Sequence, residues 1–124
     1  MVKREISILS ELKGYPYILQ LKGVCRDSDT GIISLVWPYL GVESRGFVHT
    51  LDHLLAPKEL KAFMLKLLTA IATCHSKGII HRDIKPHNVI INRETQELRL
   101  IDFGLSEWYD PNKQLSCRVA TRPY

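Results

Sequence analysis

Two short apolar runs, Val89-Ile90-Ile91 and Leu98-Arg99-Leu100-Ile101, flank a wholly polar connection, Asn92-Arg93-Glu94-Thr95-Gln96-Glu97. Two β-rich runs around a polar link predict a hairpin. Antiparallel pairing then sets the start of the first strand opposite the end of the second. The residues at those two ends carry the chemistry. His81-Arg82-Asp83-Ile84-Lys85-Pro86-His87-Asn88 leads into the first run, and Asp102-Phe103-Gly104 leaves the second. Asn88 lies five residues after Asp83, and Asp102 fourteen after Asn88. The hairpin therefore brings Asn88 and Asp102 to one site.

The identities, order and spacing of these residues resemble those of the eukaryotic protein kinase family. The resemblance implies that Asp83 is the catalytic base and that Asn88 and Asp102 bind Mg2+, with ATP as phosphoryl donor. The chemistry suits the residues: magnesium takes one or two protein oxygens plus phosphates and water, and a carboxylate is then left to accept a hydroxyl proton. Lys85 would place a cation near the transferred phosphate, and in this family a Lys here marks the serine/threonine branch. Gly104 gives the backbone freedom to begin a mobile segment.

Upstream, Ile6, Leu9 and Leu12 recur at a spacing of three and predict a helix over 3–13, with Gly14 as C-cap and Pro16 as stop. Residues 19–24 and 32–36 read as strands joined by the turn-rich Arg26-Asp27-Ser28-Asp29-Thr30-Gly31. Trp37-Pro38-Tyr39-Leu40-Gly41 breaks regular structure, and 47–55 reads as a short helix. A longer helix opens at Pro57, runs to about Lys77 and ends at Gly78. Its apolar face carries Leu60, Phe63, Met64, Leu67, Leu68, Ile71 and Cys74 at nearly a 3.6-residue period. The expected class is α+β. By resemblance it is a partial kinase-like fold: an N-lobe remnant over 1–36, a hinge over 37–46, and a mainly helical C-lobe over 47–124 as far as the activation segment.

The same resemblance assigns further residues. Glu5 matches the helix glutamate that pairs with the ATP-contacting lysine. Trp37 matches the gatekeeper, Tyr39 and Leu40 the adenine-binding hinge, and Ile90 and Ile101 the floor of the adenine pocket. Each of the apolar ones reads equally as ordinary core, and the two readings are compatible.

Within the family, the chain most resembles the catalytic subunit of casein kinase II. The carriers include Lys3-Arg4-Glu5-Ile6, Cys74-His75-Ser76-Lys77-Gly78-Ile79, His87 inside the catalytic loop, Gly104-Leu105-Ser106-Glu107-Trp108-Tyr109 and Arg118-Val119-Ala120-Thr121-Arg122. This implies serine/threonine phosphorylation of protein substrates with acidic residues near the acceptor, Arg118 and Arg122 contacting those acidic groups, and a regulatory subunit as partner. The chain departs from that family at Phe103, where Trp is usual, and in a shorter lysine run ahead of Arg4. Val119-Ala120-Thr121-Arg122 also resembles the wider group of cyclin-dependent and mitogen-activated kinases. Ser116 and Thr121 fall in the activation segment.

Composition excludes other classes. A hydrophobic content of 45% and a charged content of 24% are those of a soluble globular chain, and no apolar run is long enough to span a membrane. The net charge of +4 comes without a basic run interleaved with aromatics, so no nucleic-acid surface is expected. Cys25, Cys74 and Cys117 lack CxxC spacing and read as reduced thiols of an intracellular protein, in cytoplasm, nucleus or both. His49 and His53 stand four apart around Asp52, without a third nearby ligand, and read as an exposed polar face rather than a metal site.

The 124 residues contain no G-x-G-x-x-G loop, no V-A-I-K lysine and no A-P-E motif. Two functions therefore compete: the middle of an ATP-dependent serine/threonine kinase, inactive by itself, or a non-catalytic kinase remnant that docks on partners. Asp83, Asn88 and Asp102 together favour the first, since groups used only for metal and proton transfer serve no purpose in a scaffold.

Overall fold

The structure is a computed structural model that describes residues 2–40 and 55–115. The expected helix over 47–55, His49, Asp52, His53, Ser116, Cys117, Arg118, Thr121 and Arg122 lie outside the described residues.

Helix α1 spans Val2–Glu11. Its amphipathic pattern decides its orientation: Ile8, Leu9 and, just past the end, Leu12 are buried, while Lys3, Ser7, Ser10 and Glu11 are exposed. The helix ends two residues before the expected 13, and the chain turns at Gly14, whose φ of +85° is left-handed. Gln20 holds this turn. Its Oε1 accepts from the Gly14 amide at 2.6 Å, and its Nε2 donates to the carbonyls of Tyr15 and Ile18.

Strands β1 (Gly23–Arg26) and β2 (Ile33–Val36) form an antiparallel hairpin, with Gly23 opposite Val36 and Arg26 opposite Ile33. Asp27 shapes its turn by accepting from the amides of Asp29 and Thr30 and from the Thr30 hydroxyl. Those donors, the Thr30 amide first, hold the Asp27 carboxyl below the usual carboxylate range.

The expected strand over 19–24 is displaced. Ile18 makes a parallel bridge with Leu100; the Leu19 amide donates to the Leu100 carbonyl at 3.0 Å, and the Leu100 amide to the Tyr17 carbonyl at 2.8 Å. Burial explains the shift, since Ile18 and Leu100 are both buried in the main cluster and pair there rather than along β1. Tyr17 takes φ +62° to enter this clasp.

Helix α2 spans Pro57–Ser76, close to the expected bounds. Pro57 occupies the first turn, where its missing N–H costs nothing, and Glu59 reaches back to the Ala56 amide at 3.1 Å. Gly78, at φ +67°, ends it and donates to the His75 carbonyl. Phe63, Ala70 and Cys74 are buried, and Leu67 and Ile71 pack against the core. Burial pushes the Cys74 thiol up to about 11, so it is an inert packing group. Leu60, Met64, Leu65 and Leu68 are exposed.

After α2 come β3 (Ile79–Ile80), a 3-10 turn over Pro86–Asn88, β4 (Val89–Asn92), β5 (Glu97–Leu100) and β6 (Glu107–Trp108). The β4–β5 hairpin forms as expected, with Val89 opposite Leu100 and Asn92 opposite Glu97. The β3–β6 pair, with Ile79 opposite Trp108, was not legible in sequence because two-residue strands show no period. One buried cluster of Ile8, Leu9, Leu12, Ile18, Ala70, Cys74, Ile79, Leu100 and Phe103 joins α1, α2 and the hairpin. No helix among the described residues is long and apolar enough to cross a membrane.

Candidate active site

The hairpin does what its pattern requires. The Ile101 amide donates to the Asn88 carbonyl at 2.9 Å, so Asp102 emerges beside Asn88 at the open end of the hairpin. The Asn88 side chain is buried and donates twice from Nδ2, to the carbonyl and to Oδ2 of Asp83, each at 2.9 Å. Those bonds fix the amide's orientation and leave its carbonyl oxygen as the atom offered to a cation. Lys85 Nζ meets the same Asp83 Oδ2 at 2.8 Å. Asp83, itself only 5% exposed, thus meets an ammonium and an amide in a buried place.

His81 organises the loop from beneath. It is buried, and its Nε2 lies 3.0 Å from the Ile101 carbonyl while its Nδ1 lies 3.3 Å from the Asp83 amide. A carbonyl can only accept and an amide only donate, so the ring is the neutral Nε2–H tautomer. Burial, opposed by the Ile101 hydrogen bond and the Asp102 and Asp83 charges, holds the imidazole below its usual range. The ring packs edge-on against Phe103 at 4.7 Å, and the Ser106 hydroxyl donates to the His81 carbonyl at 3.1 Å. This wiring escaped the sequence reading. The His81 and Arg82 positions were inside the motif, but nothing local marks Ser106.

A testable consequence is the acid limb of stability. The unfolded chain's His81 takes up a proton near pH 6.5, whereas the folded one resists it, so stability present above that pH is lost as pH falls through and below it. The slope approaches about 1.4 kcal/mol per pH unit for one proton. Urea unfolding at pH 5.5, 6.5 and 7.5 checks this, and in His81→Gln the difference between pH 6.5 and 5.5 should shrink.

Two residues of the motif sit in left-handed backbone: Arg82 at φ +71° and Asp102 at φ +62°. Neither is a glycine, so both positions store strain that the surrounding bonds must hold. Asp102 is exposed, and its Oδ1 accepts from the Gly104 amide at 3.3 Å. A side chain at Gly104 would lie 3.3 Å from that Oδ1 and 3.9 Å from Oε2 of Glu5. The missing Cβ thus leaves room for two carboxylates from opposite ends of the described chain. Desolvation first, and the Asp102 charge second, raise the Glu5 carboxyl above its usual range. Two carboxylates thus lie close together at this spot. Among the described residues no three His, Cys, Asp or Glu side chains cluster as a metal cage.

The remaining expected residues are scattered around this centre. Trp37 is half-buried against the core cluster, whereas Tyr39 is 83% exposed. Leu40, Ile90 and Ile101 are half-buried. Ile90 faces Arg99 across the hairpin, and Ile101 spends its carbonyl on His81.

Comparison with known proteins places the chain in a family. The sequence matches the family described as protein kinase domain over residues 1–124. A relative from Dictyostelium discoideum, named "Probable serine/threonine-protein kinase", is 43% identical over 99% of this chain. The chain spans 20% of that relative's length. With the match running from first residue to last, the chain belongs to the protein kinase family.

Proposed function

We propose that the protein transfers the γ-phosphoryl group of ATP to serine or threonine hydroxyls, with Mg2+ as cofactor and with acidic protein segments as preferred substrates. The observation that carries this is the buried unit of Asp83, Lys85 and Asn88, joined by 2.8–2.9 Å contacts and set beside Asp102 by the hairpin. Magnesium–ATP supplies, when bound, the phosphoryl group and the neutralisation of its charge. Asp102 and the Asn88 amide oxygen hold the metal, a carboxylate and a neutral oxygen in keeping with magnesium's habits. Asp83 accepts the proton of the attacking hydroxyl, and its position next to Lys85 keeps that hydroxyl close to a cation. Lys85 is within reach of the transferred group once it turns from Asp83. Trp37, the backbone of Tyr39 and Leu40, and the side chains of Ile90 and Ile101 take the adenine, and Glu5 matches the family's helix glutamate, whose lysine partner is not among these 124 residues.

The acidic preference and the likeness to casein kinase II rest on sequence: Lys3-Arg4-Glu5-Ile6, His87 and the pair Arg118 and Arg122. The same likeness supports a regulatory subunit as partner, and the unpaired spacing of Cys25, Cys74 and Cys117 supports an intracellular location. A docking role without catalysis has one observation in its favour, the exposed Leu60, Met64, Leu65 and Leu68 of α2. It leaves the Asp83–Lys85–Asn88 unit unexplained.

The test is transfer from radiolabelled ATP by the intact protein to three peptides, with serine among acidic, neutral or basic residues. Magnesium-dependent label on serine, greatest in the acidic peptide, is expected. Labelling favouring the basic peptide would remove the acidic specificity, and no labelling of any would remove the transferase. The 124-residue polypeptide alone, holding no glycine-rich loop or ATP lysine, should be near background.

A further inference from the structure

Ser28 lies at the tip of the β1–β2 hairpin, exposed, in the turn between Arg26 and Ile33. Of the serines and threonines in the 124 residues, it alone stands directly between two acidic residues, Asp27 and Asp29. The turn treats its two hydroxyls differently. That of Thr30 is committed to the fold, since its Oγ1 donates at 2.7 Å to Asp27 Oδ1, the oxygen that also accepts from the Asp29 and Thr30 amides. The Ser28 Oγ donates at 3.1 Å to Oδ1 of Asp29, a bond between two exposed side chains that water replaces at little cost. Asp27, held below the usual carboxylate range by its donors, stays charged beside it.

Other exposed hydroxyls are placed less favourably. Those of Thr69, Thr73 and Ser76 donate to carbonyls one turn back in α2, so an attack from any of them has to disturb the helix. Thr95 follows Glu94 in the β4–β5 turn, but Arg93 lies in the same turn and the Lys66 ammonium donates to the Gln96 carbonyl there. Ser28 combines exposure, a loosely held hydroxyl and a carboxylate on each side. As folded, it does not meet the buried Asp83, because its hydroxyl faces Asp29 at the surface of a separate sheet.

We propose that Ser28 is a phosphorylation site, modified in one copy of the protein by another copy. This rests on the proposed preference for acidic segments, with Asp27 and Asp29 as the acidic neighbours. The Ser28 Oγ forms a bond to the γ-phosphorus of ATP, and the bond from that phosphorus to the ADP oxygen breaks. The hydroxyl proton passes to Asp83 of the second copy. The products are ADP and a phosphoserine that adds about 1.5 to 2 negative charges to the turn.

The experiment incubates the intact protein with radiolabelled ATP and Mg2+, by itself and with an excess of its Asp83→Asn variant, and maps the labelled residues by mass spectrometry. The acidic serine peptide is assayed in parallel. Label is expected on Ser28 of both proteins, at a rate per molecule that rises with protein concentration. Ser28→Ala should lose that label and keep peptide transfer within about twofold, as for a surface substitution away from the site. Asp29→Asn, which spares the Asp27 side-chain contacts, should slow Ser28 labelling about two- to fivefold, the scale of one exposed charge pair. Peptide labelling with none on Ser28 would overturn the proposal and leave the kinase reading standing, whereas labelling of neither would remove both. Label on Ser28 at a rate independent of concentration and missing from the Asp83→Asn acceptor would overturn transfer between copies. Label on Asp83→Asn incubated alone would assign the site to a different kinase.

Discussion

Asp83→Asn in the intact protein should lower kcat by about 100- to 10,000-fold, the range of general-base contributions, with KM for ATP changed only a few-fold. The substitution is chosen to spare the fold. Asp83 Oδ2 accepts from both Lys85 and Asn88, and an Asn oxygen can keep accepting while the carboxylate's basicity is lost. Asp83→Ala would be a poorer experiment, because it removes the buried carboxylate that Lys85 and the Asn88 amide both meet, at a cost of roughly 1–3 kcal/mol in stability. A stopped assay at saturating ATP, beside a thermal melt of the same sample, separates the two effects. A loss under about tenfold in a well-folded Asp83→Asn protein would sink the proposed role.

Asp102→Asn should abolish magnesium-dependent nucleotide binding while leaving the ligand-free protein at least as stable as before. The reason lies in Glu5. Its raised carboxyl means that the folded state holds the proton more tightly than the unfolded chain, so folding is favoured by Glu5 protonation and loses that advantage as pH rises through the raised value. Removing the Asp102 charge relieves part of this, leaving desolvation as the remaining cause. The gain is of order a few tenths of a kcal/mol, the scale for partly solvated charges. Two readouts check it: calorimetric titration with Mg2+ and a non-hydrolysable ATP analogue, and urea unfolding of the unliganded protein between pH 4.5 and 7. Loss of stability in Asp102→Asn across that whole range would contradict the repulsion. Stability surrendered for function is the expected character of such a site.

Much of the fold could be read from residue order because its elements announce themselves locally. Pro57 and Gly78 bracket α2, the apolar spacing of Ile6, Leu9 and Leu12 marks α1, and the polar hexapeptide before Leu98 marks the hairpin. The candidate site was legible for the same reason, since Asp83, Lys85 and Asn88 lie within one loop and the hairpin delivers Asp102. What stayed hidden depends on contacts between distant residues. Ile18 could not be seen to pair with Leu100, nor Ile79 with Trp108, because pairing partners far apart in sequence leave no periodic trace. Ser106 was silent for a related reason. Its hydroxyl acts through one contact, with the His81 carbonyl, that only tertiary approach creates, and a lone serine beside Leu105 carries no local sign of it.

The clasp between residues 17–19 and Leu100 also carries a kinetic meaning. It joins opposite ends of the described chain, so its loop-closure entropy must be spent before its hydrogen bonds return anything. The β4–β5 hairpin and α2 need no such closure and can form from neighbouring residues on the microsecond scale. Assembly is then ordered, with α2 and the hairpin as the early platform and the α1 segment as the late arrival, as expected where non-local contacts govern rate. A chain emerging from the ribosome cannot close this clasp until Leu100 is made, which leaves Ile18 without its strand partner while the residues between are synthesised.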